Sequence, residues 1–175
     1  MMSSRVEYTP TVKAPCWLTS RSHSASEAAV KVDFDSFLDS LVFDYQDMGK
    51  EVQLSGKSNA VIHTRPHALR RVLVNLTDNA LKFAGAAQLR VEPKEGDSLS
   101  VTVMDRGPGI AEEELARVIE PFYRVENSRN RSTGGTGLGL AIAQQLAQAL
   151  GGTLTLRNRE GGGLCAELRL PTRSS

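Results

Sequence analysis

Apolar residues recur at three- and four-residue spacing in three stretches of the chain, the period of an amphipathic helix. The strongest stretch runs from Leu69 to Phe83, where Leu69, Val72, Leu73, Leu76 and Ala80 share one face. Pro66 is tolerated in a first turn and Gly85 marks the end, so the sequence predicts a helix between them. Leu138, Ile142, Leu146 and Leu150 stand one above another in a second helix, stopped by Gly151 and Gly152. Phe34, Phe37, Leu38, Leu41 and Val42 predict a third from Asp33 to Tyr45, closed by Gly49.

The remaining pattern is short and strand-like. Glu51–Leu54 and Asn59–His63 are strand candidates joined by a Ser-Gly-Lys turn, and Gln88–Glu92 and Ser98–Met104 form a hairpin around Glu95-Gly96-Asp97. Thr153–Asn158 and Leu164–Leu170 form another around Gly161-Gly162-Gly163. Ala111–Val118 predicts a short helix with an acidic start, and Tyr123–Thr136 a polar, basic, glycine-ended mobile loop. Met1 to about Lys31 is rich in Ser, Thr and Pro and reads as a poorly ordered leader. The boundaries expected are a leader at 1–31, one domain at 32–172 and a tail at 173–175. Helices and mostly antiparallel strands imply an α+β fold, a two-layer sandwich with the helices on one face.

Composition narrows the class. At 175 residues and 40% hydrophobic, the chain builds one well-cored domain. A net charge of +1 and 5% aromatic residues argue against a nucleic-acid binder. Cys16 and Cys165 form no metal or redox spacing, which reads as a reducing, cytoplasmic setting. No apolar run approaches the roughly 20 residues of a membrane span, and a secretory signal core is missing, so no membrane contact is expected of this piece.

Three segments then suggest chemistry. Asn75, Asn79 and Lys82 stand at i, i+4 and i+7 on a face of the central helix away from its apolar stripe. Two carboxamides and an ammonium suit a magnesium–polyphosphate, although a surface helix facing water would carry the same residues. Asp105-Arg-Gly-Pro-Gly-Ile110 follows a strand directly. A carboxylate there can accept a hydrogen bond from an exocyclic amine, and Gly107 and Gly109 permit close approach of a flat base. Adenine offers an amine where guanine offers a carbonyl, so the slot favours adenine. An ordinary turn after a strand would also read this way. Gly134-Gly-Thr-Gly-Leu-Gly-Leu140 runs straight into an apolar helical period. That favours an anion-binding loop at a helix start over a flexible linker. Arg124, Arg129 and Arg131 beside it are suited to a terminal phosphate, to water or to an acidic partner.

In order and spacing these segments resemble the catalytic and ATP-binding domain of sensor histidine kinases, within the gyrase–chaperone–kinase–mismatch-repair ATPase superfamily. Asn75–Phe83 resembles its N box, Asp105–Ile110 the G1 box, Glu120-Pro-Phe-Tyr-Arg124 the F box and Thr133–Leu140 the G2 box. The resemblance covers roughly Asp33 to Pro171. It implies a Bergerat-type sandwich of a five-stranded mixed sheet and three helices, with ATP and Mg²⁺ as cofactors under a mobile lid. It makes Asn75 and Asn79 the metal residues, and Asn75, Asn79, Lys82 and Arg124 catalytic. Nucleotide contact would fall to Asn79, Lys82, Phe83, Asp105, Gly107, Gly109 and Ile110. Phe122, Gly135, Thr136, Gly137, Leu138 and Gly139 would complete it from the lid side.

Hydrolytic relatives carry Glu where this chain has Asn75. A carboxamide is a poor general base, so transfer is favoured over hydrolysis. The acceptor implied is a histidine on a separate dimerisation domain, with a response regulator downstream and a parent at the inner membrane. His23, in Ser-His-Ser-Ala-Ser-Glu, shares only two residues with the usual acceptor motif. The expectation is therefore a catalytic module, monomeric in isolation, that needs its acceptor supplied. The rival readings are a hydrolytic ATPase of the same superfamily and a non-catalytic nucleotide-binding or protein-interaction module.

Overall fold

The computed structural model describes residues 27–93, 95–120, 123 and 138–172. Its elements are β1 (Val30–Asp33), α1 (Phe34–Asp47), β2 (Glu51–Ser55), β3 (Val61–Thr64), α2 (Pro66–Ala84), β4 (Ala86–Val91), β5 (Ser98–Met104), α3 (Gly139–Ala149), β6 (Thr153–Asn158) and β7 (Leu164–Pro171). Five strands form a sheet in the order β2-β4-β5-β7-β6. The β2–β4 pair is parallel and the other three pairs are antiparallel. A separate antiparallel pair joins β1 to β3.

Each helix covers its own part of one sheet face. α1 packs on β2, α2 on β4 and β5, and α3 on β6 and α2. The core lies between the layers. Leu69, Val72 and Leu73 of α2 and Leu89 and Val101 of the sheet are fully buried. Burial of side chains of this size stabilises by roughly 1.5–3 kcal/mol each.

The helix ends have specific partners. Asp33 caps α1, accepting from the Ser36 N–H at 2.9 Å. The cap residue of α2, Arg65, gives no side-chain hydrogen bond to the first N–H groups of the helix. Glu27 supplies it instead, accepting from the His67 and Ala68 N–H groups at 2.8 and 3.1 Å. A carboxylate at the positive end of a helix is favourable. The leader assigned to 1–31 is therefore ordered at its end. Glu27 is bound, and Val30 and Lys31 pair with Thr64 and His63 in β1.

The strand candidates on either side of Ser55-Gly56-Lys57 both form, and each pairs with another strand. Asp35 of α1 redirects the connection by accepting from the Ser58 N–H and hydroxyl and the Asn59 N–H, at 2.9, 2.9 and 2.8 Å. The segment predicted as a helix over 111–118 winds instead as a 3-10 turn at Glu112–Glu114 followed by further turns. The loop predicted over Tyr123–Thr136 lies outside the described residues except for Tyr123.

Burial raises the Asp35 pKa, but the Ser58 and Asn59 N–H groups, the Ser58 hydroxyl and Lys57 outweigh it and hold the carboxyl below its usual value. A lowered folded pKa gives stability that is present above the unfolded value of about 3.9 and lost as pH falls through the folded value. Asp35→Asn should therefore melt below the wild type at pH 7, with the gap shrinking below about pH 4. A constant gap in melts at pH 7 and pH 3 would refute this.

Candidate functional site

α2 packs against both α3 and β5. α2 and α3 run in opposite directions. The Arg65 guanidinium at the start of α2 donates to the Ala149 carbonyl at the end of α3. Farther along α2, a Cβ placed on Gly139 would stand 3.6 Å from the Asn75 Oδ1. The first turn of α3 thus lies close to the carboxamide face of α2.

Asn75 is half-buried and its Nδ2 donates to the Arg71 carbonyl at 2.8 Å. That bond orients the amide and leaves Oδ1 as the atom nearest Gly139. Asn79 is half-buried one turn later, and Lys82 is exposed with its Nζ 5.1 Å from the centre of the Phe83 ring. Phe83 is itself 41% exposed, a high value for an aromatic residue at the end of a packed helix.

Asp105 ends β5 and is only 6% exposed. Its Oδ1 accepts from the Gly107 N–H at 2.8 Å and the Leu164 N–H at 3.1 Å. These two bonds fix the carboxylate plane, and Oδ2 accepts no hydrogen bond from the described residues. Gly107 lies against α2: a Cβ there would be 3.2 Å from the Phe83 carbonyl oxygen and 3.2 Å from Asp105 Oδ1. The loop after β5 and the end of the carboxamide helix therefore form adjoining walls.

Asn158, at the end of β6, was not singled out from the sequence. Its Oδ1 accepts from the Ile110 N–H at 2.9 Å, and its Nδ2 donates to the Ile110 carbonyl at 2.6 Å and to Glu112 Oε1 at 3.2 Å. Nor was Gly163, whose φ is +105° and whose added Cβ would overlap the Asp105 carbonyl oxygen. Arg159 Nη1 lies 3.5 Å from both the Asp105 carbonyl and Gln88 Oε1. One signal in the sequence points to Asn158. Leu154, Leu156 and residue 158 share a strand face, so a polar side chain closes an apolar, core-facing series.

Of the residues expected at the site, the structure sets Gly139 beside Asn75, and Gly107 beside Asp105 and the Phe83 backbone, while Gly109 lies against Asn158 and Lys82 lines the groove between α1 and α2. Phe122, Arg124, Gly135, Thr136 and Gly137 lie outside the described residues. Tyr123 is described: its hydroxyl donates to Glu114 at 3.1 Å and its ring lies 4.3 Å from the Arg117 guanidinium carbon. His63 and His67, at the far end of α2, are exposed. Beside α2, a groove of about 580 Å³ against α1 is crossed by a 2.7 Å hydrogen bond from the Tyr45 hydroxyl to Asp78. Burial, and then the Asp78 carboxylate, push the Tyr45 pKa upward.

The donor set suits a nucleotide with a hard cation. Among the described residues no group of three His, Cys, Asp or Glu side chains could hold a metal. The oxygen ligands offered are neutral carboxamides, which bind Mg²⁺ when phosphate oxygens supply the negative charge.

Comparison with known proteins identifies the family and the fold. A family model described as histidine kinase-, DNA gyrase B-, and HSP90-like ATPase matches residues 64–174. The histidine protein kinase SaeS of Staphylococcus epidermidis is 41% identical over 112 residues, which is 62% of this chain and 32% of that protein. The sensor histidine kinase CpxA of Escherichia coli is 33% identical over 135 residues, 77% of this chain and 30% of that one. The chain spans about a third of the length of these curated relatives. Among solved structures, the ATP binding domain of PrrB from Mycobacterium tuberculosis is 30% identical with a TM-score of 0.68, covering 85% of this chain and 100% of that one. The catalytic domain of the histidine kinase ThkA shares the fold at a TM-score of 0.70 and 18% identity, covering 84% of this chain and 99% of that one.

Proposed function

The chain belongs to the histidine kinase-, DNA gyrase B-, and HSP90-like ATPase family, and on that premise we propose that it binds Mg-ATP and transfers the γ-phosphoryl group to a histidine on a separate dimerisation domain. It would then be the catalytic module of a two-component sensor kinase, with a response regulator receiving the phosphoryl group and the reaction on the cytoplasmic side. The relatives named as sensor and histidine protein kinases support this reading. Among the described residues, no helix is long and apolar enough to cross a membrane.

One observation carries the proposal: a buried carboxylate with one oxygen fixed by two N–H groups faces the end of a carboxamide helix across a glycine. In this reading Asp105 Oδ2 accepts the adenine amine, and Gly107, Gly109 and Ile110 border the ring. Phe83 offers a partly exposed face beside it. Asn79 and Asn75 hold Mg²⁺, which when bound offsets the negative charge on the phosphoryl oxygens. Lys82 and the first turn of α3 at Leu138 and Gly139 add positive potential near the phosphates. The resemblance would assign Phe122, Arg124, Gly135, Thr136 and Gly137, which lie outside the described residues, to the lid and phosphate side. Phosphoryl transfer requires mostly positioning and charge stabilisation, which these groups supply without a base. Asn75 cannot take a proton from water near neutral pH, which favours transfer over hydrolysis, and the imidazole acceptor that the family resemblance implies is itself a nucleophile.

Calorimetry on the purified chain tests the reading. ATP should bind, more tightly with Mg²⁺, and GTP should bind at least about tenfold more weakly, the worth of one good hydrogen bond. Binding of neither nucleotide, or binding indifferent to Mg²⁺, would overturn it. Steady phosphate release that Asn75→Ala abolishes would replace transfer with hydrolysis.

A further inference from the structure

We propose that Asn158 is a positioning residue for nucleotide recognition, clamping the loop Asp105–Ile110 at the end away from Asp105. This rests on the nucleotide reading above and assigns a role to a residue outside the four boxes. The near end of the loop is already held, by the Gly107 and Leu164 N–H groups on Asp105 Oδ1. Between Gly107 and Ile110 the only described bonds are those made by Asn158. Its carboxamide meets both backbone groups of one residue, accepting from the Ile110 N–H at 2.9 Å and donating to the Ile110 carbonyl at 2.6 Å. This two-point pairing fixes the orientation of the peptide as well as its distance. The second Nδ2 hydrogen reaches Glu112 Oε1 at 3.2 Å, tying the same side chain to the turn that follows.

The packing around Asn158 is equally specific. A Cβ on Gly109 would be 2.8 Å from Asn158 Oδ1, so the loop passes the amide with no room for a side chain. Gly109 also has a φ of +73°. The loop thus keeps a left-handed residue pressed against a carboxamide, with its next peptide bonded on both sides. Because Asn158 follows Leu154 and Leu156 on the core-facing side of β6, a rigid strand aims it. Without Asn158 the Gly107–Ile110 segment loses its described tether, and the base-binding edge would have to be ordered by the ligand, at a cost in affinity.

The clamp lies at the base end of the site, which separates it from the metal and phosphate groups. Asn158→Ala should weaken ATP and ADP by the same factor, about tenfold for two hydrogen bonds lost. The ratio of affinities with and without Mg²⁺ should stay at the wild-type value, because Asn75 and Asn79 are untouched. A structural role alone would lower the melting temperature without this base-end signature in the folded protein. If Asn158→Ala does not fold, Asn158→Asp keeps the size and the acceptor for Ile110 N–H. It sets a carboxylate oxygen against the Ile110 carbonyl and Glu112, and should weaken ATP and ADP equally. Calorimetry of ATP and ADP, with and without Mg²⁺, reads all of this. Wild-type affinity in the folded variants, or a loss confined to the Mg²⁺-dependent increment, would overturn the role of Asn158. Failure of the wild type itself to bind either nucleotide would instead overturn the reading on which it rests.

Discussion

Asp105→Asn is expected to lower ATP affinity about a hundredfold while the chain stays folded. The amide has the size of the carboxylate, and only one of its two orientations is tolerated. Its oxygen must take the place of Oδ1, because the Gly107 and Leu164 N–H groups both donate there. The NH₂ group then replaces Oδ2 and confronts the adenine amine, donor against donor. Losing a charge-assisted hydrogen bond costs about 1.5–3 kcal/mol, and the opposed donors add to it. Inosine triphosphate has an acceptor at the same position, so the variant should lose much less affinity for it, or gain some. Titration of both nucleotides into wild type and variant reads the change. Unchanged ATP affinity would remove Asp105 as the base-reading residue.

The second large effect is expected at Gly163. Its φ of +105° disfavours any other residue, and an added Cβ would overlap the Asp105 carbonyl oxygen. The same Cβ would fall 2.8 Å from the Asp105 carbonyl carbon and 3.0 Å from the Arg106 Cα. All of these are backbone atoms, so no rotamer change relieves the clash. Gly163→Ala should destabilise the fold by about 2–5 kcal/mol, combining backbone strain with overpacking. Gly161 is the control, with φ +83° and nothing within 4 Å of its added Cβ. Gly161→Ala carries strain alone, about 1–2 kcal/mol. Denaturant unfolding compares the two, and equal losses would show that the Gly163 contact with Asp105 is unimportant.

The contrast between these residues explains what the sequence made legible. Asp105 was readable because its chemistry is local: a carboxylate at a strand end followed by two glycines. Asn75, Asn79 and Lys82 were readable because helical spacing alone sets them on one face. α2 and α3 followed from strict apolar periods, and the hairpins of β4–β5 and β6–β7 from their turns. Gly163 and Asn158 were missed because their roles are defined by residues some fifty positions earlier, Asp105 and Ile110.

The same reason applies to the fold. β1 is four residues long and pairs with β3, across the whole of α1, so no turn signals it. The path between β2 and β3 was not readable locally, because the Asp35 carboxylate that captures Ser58 and Asn59 lies on the preceding helix. The 111–118 segment has helix-forming residues, yet it winds as separate turns, and the tie from Asn158 to Glu112 comes from a distant strand.

The parallel pairing of β2 with β4 constrains how the chain can fold and open. Parallel neighbours cannot be joined by a tight turn, and here the crossover between them carries α2. The sheet edge therefore closes only once the carboxamide helix has docked, a non-local event that slows folding. The converse holds in the native state. Asn75, Asn79 and Lys82 cannot fray from the sheet without straining the β2–β4 ladder, so this wall of the site opens with the cooperative core rather than as a local fluctuation. A nucleotide bound against it would accordingly resist unfolding of the whole domain, and its affinity would be registered as global thermal stability.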